Sequence, residues 1–336
     1  MRSNSRLTSI EEGIIVDERE MMTYGKGNVF AYRTFMEPVV ASRQIPESSF
    51  KERDNTVFGI DVTVEVGGKE FLSSFTEGDN SKVVATDSMK NFIQRHLATF
   101  SGTTAEQFVY YVAHAFLEHY AHIETVKMTA DLLPFEATVT TENDEPKISD
   151  LVYKKSRNEK LKASIHMERR EGAIAIVQQV SELTDLQLIK VKDNSFVGFI
   201  RDEYTTLPED GNRPLFIYLN IGWTYELGEE EVDFVAHEQV KDIASTVFHE
   251  TASPSIQSLI YHIGLRMLQR FPSLKDVRFE SQNRTWDTVV EQIPDSEGKV
   301  YTEPRLPYGF QRFQVTRMDL ENERQTANIG VEESHR

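Results

Sequence analysis

Lys26 lies in Tyr24-Gly25-Lys26-Gly27-Asn28-Val29, between glycines that let the backbone come close to a bound molecule. A lysine there can serve as a general base or an anion contact; on this motif alone the simpler reading is an ordinary solvated lysine in a turn. Thr86 and Asp87 open a helical pattern. They either cap that helix or leave a hydroxyl and free N–H groups for an anion. Phe196 starts the aromatic and charged run Phe196-Val197-Gly198-Phe199-Ile200-Arg201-Asp202-Glu203-Tyr204, whose phenylalanines also suit a core. Arg213 precedes Pro214 at a loop-to-strand corner. Arginine there is commonly a surface charge, and it is also the residue that grips a planar amide or anion with a fork of donors. Gln257, in the first turn of a helical pattern, and Asn283, after a strand pattern, are surface polar residues unless a site recruits them.

Other chemistries find less support. His114, His119 and His122 do not converge on one helix face, so no metal site is expected. The chain has no cysteine, which removes disulfides, thiolate ligands and Cys nucleophiles. No serine-hydrolase elbow, P-loop or dinucleotide glycine pattern occurs. With Asp+Glu at 54 against Lys+Arg at 37, the formal net charge is −17, which disfavours nucleic acid and anionic membranes as partners. An anionic substrate then needs a local cation. No apolar run reaches the ~20 residues of a membrane span, and no signal-peptide core is evident. The expectation is a soluble cytoplasmic protein.

The elements that must position these residues come twice. Val83-Val84-Ala85-Thr86-Asp87 has an echo in Phe234-Val235-Ala236-His237-Glu238, an offset of 151 from Val84 to Val235. The match continues without a gap for about 45 residues, which implies two copies of one structural unit. Strands are predicted at Val29–Met36, Thr56–Val66 and Ile123–Leu132, and a helix starts near Asp87. A second helix starts after Thr103, with Glu106 completing a capping box, and ends near Tyr120. The second copy reads as strands at Leu186–Val191, Phe196–Ile200 and Leu215–Tyr225, then a helix over Val235–Phe248. Next come a helix capped by Ser253-Pro254 that carries Ile256, and a strand at Val277–Ser281. The stretch 135–180 reads as a long hairpin extension. The predicted organisation is a mobile arm over 1–20, a first unit over 21–180, a second over 181–318 and a flexible tail over 319–336. Hairpin-joined strands with helices on one face make this an α+β protein with antiparallel sheets. The exposed edges of two small sheets call for oligomerisation.

Three segments taken together resemble a known family. Tyr24-Gly25-Lys26-Gly27-Asn28-Val29, Asp79-Asn80-Ser81 with Val83-Val84-Ala85-Thr86-Asp87-Ser88, and Gly198-Phe199-Ile200-Arg201-Asp202-Glu203-Tyr204-Thr205-Thr206-Leu207 are similar to the signature segments of uricases (urate oxidases), in particular the Bacillus type. The resemblance runs from about Tyr24 to Phe313, in order and spacing. It implies tandem tunnelling-fold (T-fold) units that assemble as a homotetramer, with sheets closed into barrels and sites between subunits. It implies oxidation of urate by O₂ to 5-hydroxyisourate and H₂O₂ in purine catabolism, with water as a further participant and with no metal, flavin or other cofactor.

Residue by residue, the resemblance makes Lys26 the catalytic lysine and Thr86 the threonine that works with it through a water. Asp87 becomes a backbone contact to substrate, and Phe196 the ring that stacks on the purine. Arg213 and Gln257 become a pincer on opposite ring edges, Ile256 a further backbone contact, and Asn283 a residue near the oxygen site. Many members carry a catalytic histidine two residues after that asparagine. This chain has Thr285 there, so the relay ends on Thr285 or on water. His237 belongs to the other copy. The rival readings are another T-fold enzyme of purines or pterins, the pterin branch usually needing zinc, and an inactive purine-binding tetramer.

Overall fold

The computed structural model describes residues 22–155, 158–207, 214–227, 232–251, 255–284, 288–296, 298–302 and 306–334. The expected N-terminal arm, 1–20, lies outside them. The first half contains β1 (Thr23–Val40), β2 (Glu52–Gly67), a short α1 (Leu72–Thr76), α2 (Thr86–Thr99), α3 (Ala105–His119) and β3 (Thr125–Leu133). A hairpin of β4 (Phe135–Glu142) and β5 (Glu145–Lys155) follows, then β6 (Lys160–Arg170). The second half contains β7 (Ala173–Lys190), β8 (Leu215–Tyr225), α4 (His237–Glu250), α5 (Ile256–Arg270) and β9 (Leu274–Arg284). The short β10 (Thr288–Val290) and β11 (Val300–Tyr301), β12 (Gly309–Thr316) and α6 (Arg317–Ser334) complete it.

Instead of two small sheets, the long strands form one antiparallel eight-stranded sheet in the order β1-β2-β3-β6-β7-β8-β9-β12. The join is the two-residue turn Glu171–Gly172, with φ of 50° and 87°, the backbone a tight hairpin needs. So short a turn forces β6 and β7 to pair. It also corrects the expected hairpin extension: within 135–180, β4 and β5 leave the sheet, while β6 and the start of β7 lie within it. β7 runs through residue 180, where the expected boundary falls.

The sheet alternates. Phe58, Ile60, Val62, Val64 and Val66 on β2 are buried, as are Ile217, Leu219, Ile221 and Trp223 on β8. The intervening Asp61, Thr63, Glu65 and Asn220 face the other way, so one face packs on the helices and the other is polar. The helices repeat with the offset of the sequence: α4 starts and ends 151 residues after α2, and α5 does so after α3. Even the fastenings repeat. Arg169, near the end of β6, the strand beside β3, donates to the Leu117 carbonyl at the end of α3. Arg317, following the strand beside β9, donates to Leu268 O at 2.6 Å and to Phe271 O at 2.7 Å at the end of α5. Each guanidinium satisfies carbonyls that a helix end leaves open.

Local corrections follow. The capping box of α3 is Thr104 with Gln107, one residue later than expected, because Glu106 is turned inward. Ser255 caps α5, its hydroxyl accepting from Ser258 N–H at 3.2 Å; the expected cap, Ser253-Pro254, lies outside the described residues. Phe196–Ile200 is a loop, since Gly198 has φ 73° and breaks the extended path. Residues 319–336, expected as a flexible tail, are helical as far as Ser334, with Leu320 buried.

Candidate active site

The first cluster forms where β1 begins. Gly25 is pressed against β2; a Cβ there would stand 1.9 Å from Val64 O, so no other residue fits. The pairing slips between Lys26 and Val29, and Asn28 has φ 54°, the mark of a bulge that re-aims the preceding side chain. Tyr24 Oη accepts a 2.8 Å hydrogen bond from Val84 N–H. That bond ties the start of β1 to the entrance of α2, so Lys26 and Thr86-Asp87 share one corner.

At that entrance Thr86 is the first residue of α2 and Ala85 the N-cap, with no side-chain capping bond. The capping reading of Thr86 and Asp87 therefore fails. Among the described residues no side chain caps these first-turn N–H groups, the geometry that favours an anion. The Asp87 carboxylate turns along the helix to Lys90 Nζ at 2.6 Å and Asn91 Nδ2 at 2.9 Å. The Lys90 contact holds its carboxyl below the usual carboxylate range, with a smaller pull from Lys26. Asp87 can thus offer backbone N–H while its own charge is engaged elsewhere.

The second cluster surrounds a cavity of about 150 Å³ whose lining includes Phe196, Leu207, Leu215, Ile256, Gln257 and Asn283. Ser255 capping places Ile256 and Gln257 in the first turn of α5. Asn283 is set by its strand, facing Ile217 on β8 and Gly309 on β12. Phe196 and Phe199 stack with centroids 4.9 Å apart and planes at 11°. That flat aromatic pair beside an amide-lined wall suits a planar heterocycle. The structure adds two residues that sequence reasoning missed, Asn194 and Gln311. Ser281 Oγ donates to Gln311 Oε1 at 2.7 Å, which fixes that amide. Their signal was only their place in the fold. Arg213 and Thr285 lie outside the described residues; each is two positions from a lining residue, Leu215 and Asn283.

The chain brings Phe196, Ile256, Gln257 and Asn283 together, and Lys26, Thr86 and Asp87 together, but not the two groups. β1 is the edge of the sheet, and β9 lies six strand spacings away, roughly 30 Å measured across the strands. Among the described residues no group of three or more His, Asp or Glu side chains is placed to hold a metal. No helix among them is long and apolar enough to cross a membrane.

The uricase family profile matches residues 47–160 and 179–312. The uric acid degradation bifunctional protein PucL of Bacillus subtilis (strain 168) is 62% identical over 92% of this chain, which spans 64% of that protein. The uric acid degradation bifunctional protein of Bacillus sp. (strain TB-90) is 58% identical over 91% of the chain, which spans 62% of it. The chain thus covers less than two thirds of both. A crystal structure of Bacillus sp. TB-90 urate oxidase superposes with a TM-score of 0.84 at 59% identity, covering 88% of this chain and 99% of that one. A uricase from Bacillus fastidious gives 0.86 at 50%, covering 90% and 96%. With its profile matched in both halves and its architecture shared, this chain belongs to the uricase family.

Proposed function

We propose that this protein oxidises urate with O₂ to 5-hydroxyisourate, releasing H₂O₂, at a site completed by a second copy of the chain. The observation that carries the reading is the cavity that gathers Phe196, Ile256, Gln257 and Asn283 with no base among its described lining residues. The missing base, Lys26 with Thr86, stands at the far edge of the same sheet. Two tandem T-fold units per chain, closing into barrels as a homotetramer in the cytoplasm, would bring the edge of one copy to the cavity of the next.

In this site urate lies on Phe196, with Gln257 and Arg213 on opposite edges and the backbone of Ile256 and Asp87 in contact. Arg213 offsets the negative charge that an acidic protein would otherwise repel. Lys26, through Thr86 and a water, takes a proton and leaves an electron-rich dianion. O₂ near Asn283 then accepts two electrons from the ring and leaves as H₂O₂, and water adds its hydroxyl to the oxidised ring. Thr285 is the third relay residue in this reading. The substrate supplies the electrons, so the scheme needs no cofactor.

Urate-dependent O₂ uptake with equal release of H₂O₂, measured with and without a chelator, tests it. Uptake that persists with chelator is expected. No uptake by the folded oligomer would leave a purine-binding protein, and loss with chelator would point to a metal-dependent relative.

A further inference from the structure

A second cavity, of about 30 Å³, lies between the two halves of one chain. Part of its wall is Ala105, Glu106 and Leu132, which stand 151 positions before Ile256, Gln257 and Asn283 of the open cavity. Phe58 lines it one residue before the pair Gly59–Leu133, as Leu215 lines the other one residue before the pair Phe216–Arg284. The opposite wall holds His237 and Glu238, which stand 151 positions after Thr86 and Asp87. The cavity therefore contains the pincer wall of one unit facing the helix entrance of the other, the meeting proposed above between two chains.

We infer that this cavity is an internal counterpart of the substrate site, shut by an ion pair that stands where a ligand would. Arg53 Nε on β2 lies 2.9 Å from Glu238 Oε1 on α4, so the pair bridges the first unit and the second as substrate would bridge two copies. The other replacements also close it. Leu132 removes the amide that Asn283 supplies. Glu106 takes the place of Gln257, but its carboxylate is already engaged by Ser181 Oγ at 2.7 Å. His237 is 3% exposed, its Nδ1 lying 3.3 Å from Glu238 Oε2. The remaining space holds a water or two and no two-ring heterocycle. The chain thus carries one open site and one closed one. The ligand class that the closed site would admit, once unplugged, is a small planar amidinium cation replacing the Arg53 guanidinium against Glu238.

The inference rests on the open cavity being the substrate site, and the test separates the two. Acetamidinium is titrated by calorimetry into the wild type, Arg53→Ala, and Arg53→Ala with Glu238→Gln. Saturable binding at one per chain in Arg53→Ala, with a rise of its Tm by a few degrees and neither effect in the other two, is expected. Equal binding by the wild type, or none by Arg53→Ala, overturns the plug. Should Arg53→Ala not fold, acetamidinium present during refolding should recover it, and failure to do so counts against the inference. Xanthine binding to the wild type gives an independent count. One per chain is expected; two per chain would mean that the internal site is open. Absence of any xanthine binding would undercut the urate assignment and leave the acetamidinium result to decide closure.

Discussion

Ser181 on β7 donates a 2.7 Å hydrogen bond to Glu106 at the start of α3, across the line where the two units meet. Glu106 is buried, and burial pushes its carboxyl above the usual carboxylate range despite the lowering pull of Ser181. Such an acid binds its proton more tightly folded than unfolded. Its contribution is full below the unfolded value and is lost as pH rises through the folded one. Glu106→Gln removes that dependence and keeps an oxygen for Ser181. The variant should gain Tm relative to wild type as pH rises from 5 to 8. A constant difference across that range would show that Glu106 does not titrate there.

Lys26→Met and Thr86→Ala should each lower kcat by about 10²–10⁴. If the two residues pass one proton, the double variant is little worse than the weaker single variant. Steady-state kinetics with urate decides this, and fully additive losses would separate the two residues.

Asn283→Leu gives the open cavity the residue that Leu132 gives the closed one. Loss of a buried amide facing a polar ligand should cost about 2–3 kcal/mol, or roughly 10²-fold in kcat/KM. A change of less than about threefold would remove Asn283 from the site.

Glu47 joins the loop before β2 to α5, with Arg270 Nη2 at 2.7 Å and Arg266 Nη1 at 2.8 Å. Burial alone would raise its carboxyl, but hydrogen bonds from Arg270 and then Arg266 outweigh it and bring the pKa to about 2. The stabilisation is therefore present above the unfolded value of 4.5 and is lost as pH falls through about 2. Glu47→Gln should cost about 2–3 kcal/mol at neutral pH, allowing for two arginines that are 27% and 33% exposed. Denaturant unfolding should show the gap to wild type narrowing in acid.

The helices were the most legible part of the chain, because an offset of 151 places α4 and α5 on α2 and α3 without a gap. Strand joins were less so. Nothing local in Glu171-Gly172 says that the strands beside it will pair into one sheet, and the apolar period of Phe196–Ile200 suits a strand although Gly198 turns the chain. Glu106 read as a capping residue because its spacing suited one; its burial against Ser181 depends on a strand 75 positions away. Of the candidate site, Phe196, Ile256, Gln257 and Asn283 are legible through the family resemblance, and they line one cavity. Asn194 and Gln311 gave no signal, since an ordinary amide becomes part of a site only through what packs around it.

The turn Glu171–Gly172 holds the two halves of the closed site within one molecule, so they meet at an effective concentration near millimolar however dilute the protein is. The halves of the proposed open site have no such tether and must give up translational freedom to meet. Dilution therefore separates function from fold. Specific activity should fall at enzyme concentrations where circular dichroism still reports an intact chain, and it should return on concentration or with a urate analogue that bridges the halves.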